Sequence, residues 1–158
     1  MRAAVRTPSV PPRRSFLALR DRPGVIHRLR AFAGAAVTGL PYAVDEIELI
    51  AVELVTNALR HAARKLTLTE DLWPIGVEMT ADHRYVHLAV SDPDPQPMPA
   101  GDTGGLLAEH GRGLAIVDDL AVARWATYTR HGKTVHVIVA GSGVTLTPGE
   151  LESIRELQ

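Results

Sequence analysis

The chain has 158 residues, 46% hydrophobic and 22% charged, which suits one core-forming domain and excludes disordered or fibrous classes. It holds no cysteine, so disulfides, thiolate metal sites and cysteine nucleophiles are all removed. A formal charge of −1 gives no overall attraction to nucleic acid or anionic lipid, and no apolar run reaches the ~20 residues of a membrane span, so the expected location is the cytoplasm.

Residues 1–13 combine Pro8, Pro11 and Pro12 with arginines and predict a flexible arm that lacks the apolar segment of a secretory signal. Ser15–Arg20 is short and apolar and reads as an edge strand or a helical turn. Asp21 can cap the next segment and Pro23 suits a first turn, after which Val25, Ile26, Leu29, Phe32, Ala33 and Ala36 recur at helical spacing as far as Thr38-Gly39. Beyond Pro41, apolar residues from Val44 to Leu59 stand nearly all round, predicting a central buried helix that ends near Ala63. Residues 64–74 read as a loop or a helix extension. Ile75–Thr80 and Tyr85–Ser91 alternate at period two, with Ala81–Arg84 as the hairpin turn.

The stretch Asp92–His110, rich in proline and glycine, predicts a mobile loop of about 20 residues, a kind that usually serves a site. Gly111-Arg112-Gly113 then opens a short helix with Leu114, Ile116, Val117 and Leu120. Arg124–Arg130 and Thr134–Ala140 read as strands about a turn at His131-Gly132-Lys133, and the tail from Pro148 reads as a helix. This order predicts an α+β fold: a two-layer α/β sandwich with a mixed, mostly antiparallel sheet and helices on one face.

Three places could carry chemistry. Glu53, Asn57 and His61 fall at i, i+4 and i+8, stacked on one stripe of the second helix. Polar groups set among Val52, Leu54, Val55 and Ala58 need partners, since burying them unpaired costs kilocalories. They either face a polar site or cover the solvent side of the helix and pair with Arg60 or loop backbone. Asp92, at a strand end beside Pro93, can accept hydrogen bonds from a ligand, although Asp and Pro also suit a plain turn. Gly111-Arg112-Gly113 at a helix start can offer backbone N–H groups to phosphate, or simply act as a cap.

In this order the motifs resemble the ATP-binding domain shared by histidine kinases, gyrase B, Hsp90 and MutL, the Bergerat fold, and most closely the stand-alone anti-sigma-factor serine kinases. The resemblance rests on Glu53-Leu-Val-Thr-Asn57-Ala-Leu-Arg-His61-Ala, Val90-Ser-Asp92-Pro-Asp-Pro, Gly111-Arg-Gly-Leu-Ala-Ile-Val117 and Gly132-Lys-Thr134-Val, and spans about Ser15–Ala140. It implies an ATP-binding domain over residues 14–141, followed by an extension over 142–158. It further implies that Asn57 holds Mg²⁺ and that Glu53 is the general base. Asp92 would accept the adenine amino group with support from Thr134, while Gly111, Arg112, Gly113 and Leu114 would lie at the phosphates and Arg60 and His61 would flank the pocket. The implied partners are an anti-anti-sigma protein of STAS type and a sigma factor, with a homodimer allowed and no nucleic acid or membrane. A nucleotide-gated binding module without kinase activity is the alternative. One departure is Asp94, between two prolines, where the family's adenine motif usually has glycine.

Other residues read as structural. His83 and His87 are spaced i, i+4, which on a strand means ~13 Å, too far for shared metal coordination, so both are expected at the surface. Trp73 and Trp125 read as packing residues. Ser15 and Ser142 lack the His/Asp partners of a nucleophile, and Arg13-Arg14 reads as solvated charge.

Overall fold

The computed structural model describes residues 10–63, 74–93 and 108–158. Five strands, β1 (Arg13–Leu19), β2 (Ile75–Ala81), β3 (Tyr85–Asp92), β4 (Ala123–Thr129) and β5 (Gly132–Ala140), form one sheet in the order β1-β2-β3-β5-β4. Four helices accompany them: α1 (Val25–Val37), α2 (Val44–Ala63), α3 (Ala108–Leu120) and α4 (Pro148–Glu156). The fold is α+β. Every neighbouring strand pair is antiparallel, so the mixed sheet expected from the sequence gives way to a wholly antiparallel one among the described strands. The physical reason lies in the connections. β2–β3 and β4–β5 are hairpins, the excursion through α1 and α2 returns β2 antiparallel to β1, and β4, which runs the same way as β3, is kept from pairing with it by β5 between them.

The core lies between α1, α2 and one face of this sheet. Leu29, Ala33 and Val37 of α1 and Ile47, Ile50, Leu54 and Val55 of α2 meet Val86, Leu88 and Val90 of β3 and Val135, Val137 and Val139 of β5. Both strands contribute every second residue, as the pleat requires. Each such Val, Leu or Ile side chain contributes about 1.5–3 kcal/mol by leaving water. α1 begins at Val25, not within Asp21–Pro23, because Gly24 adopts a left-handed φ of 81° that glycine alone takes without strain and so breaks the helix there. α1 and α2 approach closely at Gly34, where a Cβ would stand 2.8 Å from Glu48 Oε1.

α4 stands on the opposite side of the sheet, beside β4, which corrects the expectation of helices on one face only. The α4 residue Arg155 lays its guanidinium 5.1 Å from the centre of the Trp125 ring, and Arg84 of the β2–β3 turn reaches Glu150 at 2.6 Å. Trp125, His136 and His87 stack in near-parallel planes, with centroids 5.0 Å apart for Trp125–His136 and 5.3 Å for His87–His136. His87 Nε2 lies 3.0 Å from His136 Nδ1, and Thr127 Oγ1 lies 2.9 Å from His136 Nε2. His87 is thus buried at 5% exposure, contrary to the surface position expected for it, because its strand parity places it in this stack; His83 is exposed. Burial and the adjacent His87 push His136 down to about 4, and burial lowers His87 as well.

At the other end of the sheet, β1 is the edge among the described strands. It starts at Arg13, inside the expected arm, and follows directly on Pro11-Pro12. Arg13 Nη1 donates to the Thr38 carbonyl at the end of α1 at 2.7 Å. α4 starts on a capping box, with Thr147 as cap, Pro148 in the first turn and Glu150 bonding back.

Candidate functional site

Between α2 and the ends of β3 and β5 lies a cleft. Its apolar walls are Leu54, Ala58, Val90 and Val135, and its polar groups are Asn57, Asp92 and Lys133. The periodicities of the elements produce this lining. Leu54, Asn57 and Ala58 stand at i, i+3 and i+4 on α2, whereas Val90 and Asp92, and likewise Lys133 and Val135, are two apart on their strands. Asn57 and Asp92, distant in sequence, are therefore brought to one cavity. Glu53 sits one turn before Asn57 and faces α3: a Cβ at Gly113 would overlap Glu53 Oε2 and lie 3.1 Å from Cδ. Asn57 faces the cleft and Glu53 faces Gly113, so neither simply covers an outer face of α2.

Lys133 was expected in a turn. The structure places it in β5 directly opposite Asp92, with Nζ 3.2 Å from Oδ2 and 3.4 Å from Oδ1. Both side chains are only 2% exposed. Removing one partner of such a buried pair costs about 3–5 kcal/mol, because the other charge is left without compensation. The signal that could have found Lys133 is parity: it shares the even spacing of Val135, Val137 and Val139, all of which face the helices. Gly132, which precedes it, has no room for a side chain, since a Cβ there would overlap the Asp92 carbonyl oxygen and lie 3.1 Å from Pro93 Cα.

Parity also removes Thr134 from its expected place beside Asp92. Its side chain leaves the sheet on the other face, where Oγ1 lies 2.8 Å from Ser91 Oγ. Gly111-Arg112-Gly113 does not precede a helix but lies inside α3, which begins at Ala108. Only the first four N–H groups of a helix lack an internal acceptor, so Arg112 and Gly113 do not offer backbone donors as expected. Arg112 has an exposed side chain, as does Arg60, whereas Leu114 is 2% exposed within the core and presents no side chain to a ligand. The side chain of His61, residues 64–73 with Trp73, and residues 94–107 lie outside the described ones.

Among the described residues no group of three or more His, Cys, Asp or Glu could hold a metal. The donor set fits a hard cation that takes the Asn57 carboxamide oxygen and completes its shell with ligand oxygens and water. Four apolar walls around a fixed carboxylate and ammonium likewise fit a flat heterocycle with a polar edge. Among the described residues no helix is long and apolar enough to cross a membrane.

A family model described as the histidine kinase-like ATPase domain matches residues 18–140. Among solved structures, the chain is similar to the histidine kinase domain of the blue-light activated histidine kinase of Erythrobacter litoralis EL346, with 17% identity, a TM-score of 0.48 and coverage of 72% of this chain. It spans 61% of that chain. No curated protein matches it.

Proposed function

Since the chain belongs to the histidine kinase-like ATPase domain family, we propose that it is an anti-sigma-factor serine/threonine kinase. In this reading it transfers the γ-phosphoryl group of Mg²⁺·ATP to a STAS-type anti-anti-sigma protein and alternately binds a sigma factor. One observation carries the proposal: Asn57 of α2 and Asp92 of β3 converge on a single cleft, with Glu53 one helical turn behind Asn57.

Each role follows from the residue's chemistry. Leu54, Ala58, Val90 and Val135 take the faces of the base, and the Asp92 carboxylate accepts a hydrogen bond from its amino group. The Asn57 amide oxygen would hold Mg²⁺, and the ion when bound would neutralise charge on the phosphates. Glu53, half-buried and fixed by α3, takes the proton from the attacking hydroxyl of the partner on a carboxylate oxygen. The exposed guanidiniums of Arg112 and Arg60 are free of the core and can meet phosphate oxygens.

The test is calorimetry of the chain with ATP, with and without Mg²⁺, followed by label transfer from γ-labelled ATP to a STAS-type protein. Glu53→Ala is expected to keep ATP binding and to lower transfer by about 10²–10⁴-fold. Transfer unchanged in that variant would remove Glu53 as the base. ATP binding with no transfer by the unaltered chain would leave a nucleotide-gated binding module, and no ATP binding would end the reading.

A further inference from the structure

We propose that Lys133 is a positioning residue for base recognition: it keeps the Asp92 carboxylate ionised and fixed in plane, and so sharpens the selection of a purine that bears a 6-amino group. The inference rests on the nucleotide reading of the cleft and goes beyond it by assigning the strength of that selection to a residue that acts through Asp92. A carboxyl group set among Leu54, Ala58, Val90 and Val135 loses its hydration, which favours the protonated form. That form both donates and accepts, so it distinguishes an amino group less sharply than an anion, which only accepts. An ammonium at contact distance reverses the balance. Lys133 Nζ lies 3.2 Å from Oδ2 and 3.4 Å from Oδ1 of Asp92, and both side chains are 2% exposed. Among the described residues that line the cleft, these two are the ionisable ones; α2 contributes Asn57, and its Glu53 faces Gly113 of α3.

Contact with both oxygens also holds the carboxylate plane. The last torsion of an aspartate is broad, and a bond to one oxygen would let the group turn. The pairing does not exhaust the acceptor, because an ionised carboxylate has about four lone-pair sites and the ammonium takes one on each oxygen. The backbone sets the distance between the partners. Asp92 and Lys133 stand directly opposite in the β3–β5 ladder, and Gly132 packs against the Asp92 carbonyl where no side chain fits, so β5 cannot slide to withdraw the ammonium.

The test is calorimetry of the full chain with Mg²⁺ and either ATP or purine riboside triphosphate, which lacks the 6-amino group and is otherwise the same, beside urea unfolding of each variant. The unaltered chain is expected to prefer ATP by about ten- to a hundredfold, the factor that a hydrogen bond to a charged acceptor supplies. In Lys133→Met that preference should fall at least about threefold, since a neutral or loosely held carboxyl gains less from the amino group. Lys133→Gln, a neutral donor of similar reach, should show a preference between the two, and it carries the test if Lys133→Met does not fold. A lysine that only stabilises the fold would lower the urea midpoint and weaken both nucleotides alike. A preference unchanged in the folded variant would therefore overturn the proposal and leave the ATP site standing. Equal binding of the two nucleotides by the unaltered chain would remove Asp92 as the reader of the amino group, and this inference with it. Failure to bind either nucleotide would overturn the ATP site itself.

Discussion

At Gly113 a hydrogen stands where any other residue would drive a carbon into the Glu53 carboxylate. Glu53 is held against α3 by that vacancy and not by its own rotamer alone, so its position depends on a residue outside the α2 motif. Gly113→Ala is expected to cost about 1–3 kcal/mol of stability if Glu53 stays, or to push the carboxylate aside. In the second case label transfer falls further than ATP affinity, which steady-state kinetics beside calorimetry will separate. Equal loss of both would place Gly113 in general packing. The same scale explains the exchange of Thr134 for Lys133 at the cleft. A strand has period two, so the neighbours Lys133 and Thr134 leave it on opposite faces and only Lys133 reaches Asp92.

The elements differ in how much their own residues reveal. Thr147→Ala removes the side-chain half of the α4 capping box, keeping the bond from the backbone N–H of residue 147 to Glu150, and should lower stability by about 1 kcal/mol, read as a shift of the urea midpoint. An unchanged midpoint would mean that α4 docks without its cap. Where a segment's apolar period is strong, as from Val44 to Ala58 or through Ile75–Thr80 and Tyr85–Ser91, the sequence alone locates the element, and with it Asn57 and Asp92. α3 was misread at its start because Gly111 and Gly113 disfavour a helix interior by about 1 kcal/mol each, and only packing against α2 offsets that cost. Lys133 was read as a turn because lysine is rarely buried. The carboxylate that compensates it lies 41 residues away, beyond any local pattern. Amphipathy in the tail announces a helix with one apolar side, but cannot say which sheet face it covers.

On the scale of the whole molecule, β3 and β5 at the middle of the sheet serve two layers at once. Asp92 and Lys133 look toward α2, while His87, Ser91, Thr134 and His136 look the other way. The histidine stack makes stability depend on pH with a definite sign. An unfolded His136 takes up a proton near its ordinary value of 6.5, whereas the folded one waits until about 4, so the unfolded state binds more protons between these limits. Stability contributed by the neutral stack is complete above 6.5 and is lost as the pH falls toward 4. Calorimetric melting temperatures should fall across that window, and less steeply in His136→Gln. A slope identical in the variant would assign the fall to carboxylates elsewhere. Trp125 lies in this stack with the Arg155 guanidinium near its ring.

Among the described strands β1 borders the sheet, and that border bears on how copies of this chain behave in a crowd. An unpaired strand is a template for another strand, and long flat ones seed amyloid. Here the border begins after Pro11-Pro12, which have no N–H to donate, and opens with Arg13-Arg14, whose charges repel the same segment of a second copy. The chain thus carries its own terminator of lateral growth, and fibril formation through this border is discouraged although Phe16 stands exposed upon it.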